Sequence, residues 1–141
     1  MRRPLISIAF ALLSVGGIGS PTSVASATAG PALADDHCVA KTGCIDLSVS
    51  FSNRSVTAVG SLYDYSNAGS TTALFDFYVG TNEWSNQTRT ATSERKSFHF
   101  TETGPLGGID YVEVYLINNS TGDKTWVAYC QKSTGGCHWE I

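Results

Sequence analysis

From Ile45 onward the chain consists of short runs in which apolar and polar residues alternate with period two. Ile45, Leu47, Val49 and Phe51 alternate with Asp46, Ser48 and Ser50, the pattern of a strand with one buried and one wet face. Residues 55–65 form a second run, and Gly60 in its middle predicts a bulge or bend. Residues 72–79 place Ala73, Phe75, Phe77 and Val79 on one face, and residues 95–101 set Phe98 and Phe100 against Ser97 and His99. Residues 109–117 bring Val112, Val114 and Leu116 inward, and residues 124–130 end the series. Residues 87–92 read as an edge-like strand, and residues 80–86 as a loop carrying Trp84. Turn chemistry separates the runs, at Asn53-Arg54 and at residues 66–70, 104–108 and 118–123. About seven strands without helical periodicity predict an all-β fold, a two-sheet antiparallel sandwich of immunoglobulin-like size. A small barrel is the alternative.

The N-terminus follows a different pattern. Met1-Arg2-Arg3 is basic, residues 5–18 are apolar and broken only by small residues, and residues 20–34 are rich in Ala, Ser, Thr, Gly and Pro. That order is a secretory signal peptide, with an apolar stretch too short to span a bilayer comfortably. Ala25-Ser26-Ala27 and Ala32-Leu33-Ala34 both fit a small-x-small cleavage rule, and cleavage after Ala34 is the expectation. The chain then divides into a signal peptide with a short leader, residues 1–34, and one secreted, extracellular domain, residues 35–141. Losing Arg2 and Arg3 leaves seven Lys and Arg against twelve Asp and Glu, a charge of −5. Such a domain, without a basic stripe or a polybasic or amphipathic segment, is not expected to bind nucleic acid or membrane. A monomer without cofactors is expected.

Four cysteines lie in two near-mirror stretches, "HCVAKTGC" and "CQKSTGGCH". The spacings lack the close cysteine pairs of structural zinc sites, and no Cys-x-x-Cys redox motif is present. In an exported protein an even number of cysteines reads as disulfides, here two. Three pairings exist. Nesting, Cys38–Cys137 with Cys44–Cys130, closes the longer loops and is favoured by chain entropy. Local closure, Cys38–Cys44 with Cys130–Cys137, is favoured by the glycines preceding the second cysteine of each loop. Local pairing is the expectation. If the mature chain starts at Asp35, its amine, two backbone amides and the His37 imidazole, in the order Asp35-Asp36-His37, form a square-planar nitrogen set suited to Cu(II) or Ni(II). The plainer reading is an incidental histidine near a terminus.

Catalytic chemistry is sparse. His99 lies in "SFHFT", opposite two phenylalanines, and reads as a surface histidine with no serine motif or acid to accompany it. Asp76 and Glu113 lie mid-strand on outward positions; a carboxylate pair can hydrolyse glycosides, but outward polar alternation explains both. No nucleophile elbow, zinc-protease or dinucleotide motif occurs, so no enzyme is expected.

The aromatic residues point to recognition instead. Phe51, Phe75, Phe77, Phe98 and Phe100 fall on inward faces, whereas Tyr78, Tyr111 and Tyr115 fall on the opposite ones, with Glu113 between two of them. Trp84 is placed in a loop, Trp139 in the tail, and Trp126 is assigned to the core. Exposed aromatics beside carboxylates stack on sugars or anchor protein partners; the plainer reading is that some strands of a sandwich are buried on both faces and these tyrosines are the margin of the core. The expectation is a small, non-catalytic binding protein that recognises carbohydrate or a cell-surface partner through Tyr78, Tyr111, Glu113, Tyr115 and Trp84. The alternative is an inhibitor of an extracellular hydrolase, presenting residues 104–108 or 80–86 as a rigid loop.

The stretches "SFSNRSVTAVGSLYDYS" and "TTALFDFYVGT", followed by "GGIDYVEVYL", resemble the small exported β-sandwich proteins of actinobacteria over most of the mature chain. The resemblance implies fold and export, and supplies no activity to carry over to individual residues.

Overall fold

The computed structural model describes residues 36–65 and 68–141. The expected signal peptide, both candidate cleavage sites and Asp35 lie outside the described residues. Nine strands occur among the described residues: β1 His37–Val39, β2 Gly43–Phe51, β3 Ser55–Asp64, β4 Thr71–Val79, β5 Asn82–Ala91, β6 Arg95–Thr103, β7 Tyr111–Asn118, β8 Lys124–Gln131 and β9 Gly136–Trp139. They form two antiparallel sheets, ordered β1-β2-β3-β6 and β5-β4-β7-β8-β9. The expected all-β sandwich is therefore present. The strands beyond the expected number are β1 and β9, short segments that each fold back on a neighbour across a cysteine loop.

Two local expectations are corrected. Residues 82–86 belong to β5, reached from β4 by a tight turn in which Val79 pairs with Asn82; Trp84 is thus a strand residue. This edge strand has polar residues on both faces, so no alternation marked it. Gly60 forms no bulge: β3 pairs continuously through it, with Leu47 on one side and Phe98 on the other. Glycine is needed there because a Cβ would collide with the Asp46 carbonyl oxygen and press on the Phe98 ring.

The inward faces meet as the alternation required. Phe75 of β4 is fully buried and meets Phe98 and Phe100 of the opposite sheet edge-on, at centroid distances of 5.5 and 5.0 Å. Ile45, Leu62, Val112, Val114, Leu116 and Val127 surround them, each contributing about 1.5–3 kcal/mol when fully buried. The buried Asp64 carboxylate is provided with donors: the Thr71 hydroxyl at 2.8 Å and the Ser93 backbone N–H at 3.0 Å.

Both lateral openings of the sandwich are closed by side chains. Between β5 and β6, Ser85 and Gln87 donate to Glu102 at 2.6 and 2.8 Å. On the opposite side the two cysteine hairpins meet, and the His37 ring stacks on Trp139 at 3.5 Å with an interplanar angle of 6°.

The disulfides are Cys38–Cys44 and Cys130–Cys137, the local pairing. Each joins residues directly opposite one another in an antiparallel hairpin, with Cα atoms 4.0 and 3.9 Å apart. Local closure needs only the tight turn between two directly opposed hairpin positions, whereas Cys44 and Cys130 belong to different sheets.

Candidate functional site

The outer face of the five-stranded sheet carries the aromatic residues that the inner face does not need. β4 supplies Asp76 and Tyr78; β7 supplies Tyr111, Glu113 and Tyr115. The register sets Tyr78 opposite Tyr111 and Asp76 opposite Glu113. β8 continues the face, with Tyr129 opposite Glu113, Gln131 opposite Tyr111 and Trp126 opposite Tyr115. Tyr78, Tyr111, Glu113 and Tyr115 are therefore brought together as expected, half-buried on one contiguous surface.

Tyr129 and Trp126 complete this surface and were not among the sequence candidates. Tyr129 sits between inward-facing Ala128 and Cys130, so alternation alone marks it as outward. Trp126, assigned to the core from the sequence, is 41% exposed. A register shift between Val114 and Tyr115 turns both Val127 and Ala128 inward, which carries the preceding Trp126 outward.

Trp84 stands apart from the tyrosines. A second register shift, between Phe77 and Tyr78, lies across from it. Its indole N–H donates to the Thr103 carbonyl of β6 at 3.1 Å, so the ring, 48% exposed, belongs to the side where the two sheets' edges meet.

The rings are packed among themselves. Tyr78 and Tyr111 stack face to face, 4.6 Å apart with an interplanar angle of 9°. Tyr111 meets Tyr129 at 5.1 Å and 45°, and Trp126 meets Tyr129 edge-on at 6.4 Å. Lys124 lies 3.9 Å over the Tyr115 ring. Neighbouring side chains thus cover one face of each of the Tyr78, Tyr111 and Tyr115 rings.

Two carboxylates occupy the same surface. Glu113 accepts a hydrogen bond from the Tyr115 hydroxyl at 2.7 Å. Asp76 lies 3.8 Å from Lys124, and burial pushes its carboxyl above the usual range against the pull of that lysine. Burial, reinforced by Glu113 and Asp76, pushes the Tyr78 phenol up to about 12. Tyr111 and Tyr115 are raised for the same leading reason, burial, and the hydrogen bond to Glu113 adds to the shift at Tyr115. At neutral pH the surface therefore presents protonated phenols among carboxylates.

A groove of about 310 Å³ adjoins the aromatic row beside the second disulfide, lined by Tyr129, Gln131, Thr134, Gly136, Cys137 and His138. On the four-stranded sheet's outer face, His99 borders a shallow depression of about 620 Å³ with Asp46, Ser48, Val59 and Arg95. Arg95 is committed there, donating to Asp36 at 3.0 and 2.6 Å and to Ser61 at 2.8 Å. Of the residues of the possible N-terminal nitrogen set, His37 has its ring stacked on Trp139, Asp36 pairs with Arg95 through its carboxylate rather than its backbone amide, and Asp35 is outside the described residues. Among the described residues no cluster of three His, Cys, Asp or Glu side chains is arranged to hold a metal ion.

No protein-family model matches the chain, and no curated protein or solved structure matches it.

Proposed function

We propose that this is a secreted, non-catalytic binding protein whose outer five-stranded face recognises an extracellular or cell-surface carbohydrate. The observation that carries the reading is the run of five aromatic side chains, Tyr78, Tyr111, Tyr115, Tyr129 and Trp126, on three adjacent strands. Tyr and Trp combine an apolar body with a polar tip, which suits the mixed CH and hydroxyl surface of a sugar. A rigid sheet and mutually packed rings hold the surface in shape before the ligand arrives, which lowers the entropy cost of binding. Export is supported by the signal-like N-terminus and by the two disulfides, which persist in oxidising surroundings. An immunoglobulin-like kinship of the sandwich is supported by its strand order, β2-β3-β6 against β5-β4-β7-β8.

The test is retention of the folded protein on insoluble and soluble polysaccharides, with a Tyr78→Ala/Tyr111→Ala/Tyr129→Ala variant as comparison. Retention by the parent and its loss in the variant is the expected result. Equal retention of both proteins, or none by the parent, overturns the reading.

A second reading, inhibition of an extracellular hydrolase, is favoured by one feature. Leu106 is 85% exposed at the tip of a clamped turn: the Gly108 N–H donates to the Pro105 carbonyl at 2.9 Å, the Gly104 N–H to Arg54 at 2.6 Å, and Lys132 to the Gly107 carbonyl at 3.0 Å. Inhibition of a secreted protease or amylase that disappears in Leu106→Asp would establish this reading in place of the first.

A further inference from the structure

Resting on the carbohydrate reading, we infer that the groove beside the Cys130–Cys137 hairpin is its sugar-seating subsite and that it takes a glycan without carboxylate, sulfate or phosphate groups. The locus follows from which ring of the row lines a groove. β8 lies between β7 and β9, and Tyr129 meets Tyr111 on its β7 side. Toward β9 the same residue lines the groove, so Tyr129 gives that groove an aromatic wall.

Polar groups converge on that wall. The Gln131 amide donates to the Tyr129 hydroxyl at 2.7 Å, which leaves its carbonyl oxygen and second N–H for a ligand. The Thr134 hydroxyl and the His138 imidazole border the same space. An aromatic wall with an amide, a hydroxyl and an imidazole matches the apolar face and hydroxyl rim of a sugar ring. Gly136 stands opposite Gln131, and a Cβ there would meet nothing within 4 Å, so the floor stays low. The disulfide fixes this wall and floor relative to each other.

The excluded chemistry follows from charge. Asp76, Glu83 and Glu113 stand on the outer face, with Asp110 and Glu140 at its margins. Two lysines stand nearby: Lys124, 3.8 Å from Asp76 and over the Tyr115 ring, and Lys132, which donates to the Gly107 carbonyl and keeps its charge. An anionic glycan laid along the row meets more carboxylates than ammonium groups, whereas a neutral or amino-bearing one is not repelled by them.

The experiment uses the secreted, disulfide-bonded protein with three probes of matched chain length: laminarin fragments, chito-oligosaccharides and oligogalacturonate. Affinity is measured by titration calorimetry for the parent and for Tyr129→Ala, Gly136→Val and Tyr78→Ala, each checked for a native melting transition. Gly136→Val places a side chain into the groove from an exposed strand position, and so tests occupancy even if Tyr129→Ala loosens the row. Binding to laminarin or chito-oligosaccharide that exceeds oligogalacturonate binding, and that falls by about tenfold or more in Tyr129→Ala and Gly136→Val, is expected. If both groove variants bind as the parent does while Tyr78→Ala loses affinity, the groove assignment is overturned and the carbohydrate reading stands. If oligogalacturonate is preferred, the charge argument fails. If no glycan binds the parent, the carbohydrate reading itself fails.

Discussion

The packing of the aromatic row can be tested by alkaline titration, with Glu113→Gln as the perturbation. Tyr78 has its phenol pushed up to about 12, by burial first and then by Glu113 and Asp76. A phenol titrating at its ordinary value near 10 is about nine-tenths ionised at about pH 11, whereas one at about 12 is only about one-tenth ionised. Of the six tyrosines, Tyr78, Tyr111 and Tyr115 therefore lag when phenolate absorbance is followed in the folded protein, and the lag vanishes in denaturant. Replacing Glu113 by Gln removes one of the carboxylates that raise all three. The Tyr78 and Tyr115 transitions then shift to lower pH without reaching the ordinary value, because burial is the larger cause and is untouched.

The same shift fixes the sign of the stability change. The folded state keeps these phenols protonated after the unfolded chain has begun to lose its protons. Their contribution is fully present below about pH 10 and is lost as the pH rises from there through about 12. Urea midpoints measured at about pH 9 and about pH 11 are expected to fall between the two, and to fall less in Glu113→Gln. Coincident titration of all six tyrosines near their ordinary value in the folded protein would refute the packed row. A Glu113→Gln variant with an unchanged titration curve would show that the carboxylate does not act on it.

Three further outcomes are expected from equilibrium denaturation. Phe75→Ala removes the ring that meets Phe98 and Phe100 across the core and is expected to destabilise by about 3–5 kcal/mol. Leu106→Asp, at a residue 85% exposed, is expected to stay within about 0.5 kcal/mol of the parent, whatever it does to a partner. Replacing Cys130 and Cys137 together by Ala opens a loop with a sequence separation of 7 and is expected to cost about 2.4 kcal/mol by chain entropy, read as a lower urea midpoint with an intact β-sheet spectrum.

Most of the architecture is legible in the sequence because period-two alternation survives wherever a strand has one buried face. β2, β4, β6 and β7 carry it plainly, and the inward phenylalanines of β4 and β6 pack as the parity requires. β5 is illegible over residues 82–86 for the converse reason. An edge strand exposed on both faces has no need of apolar residues on either, and its polar run has the composition of a loop. β1 and β9 are too short to show a period; disulfides fasten both to their neighbours.

The site is harder to read than the fold because it depends on two places where the parity breaks. Trp126 has the same parity as Ala128 and Cys130, both fully buried, so alternation assigns it inward. The register shift on β8 turns Val127 inward beside Ala128 and reverses the side of every residue before it. The shift beside Tyr78 lies opposite Trp84, which joins the β6 edge while Tyr78 stays with the sheet face. One bulge adds an aromatic residue to the tyrosine-bearing face and the other accompanies a tryptophan's departure from it. Neither is marked by glycine or proline within its strand. Strand alternation therefore identifies the tyrosines at the centre of the face, and the backbone irregularities determine which tryptophan stands beside them.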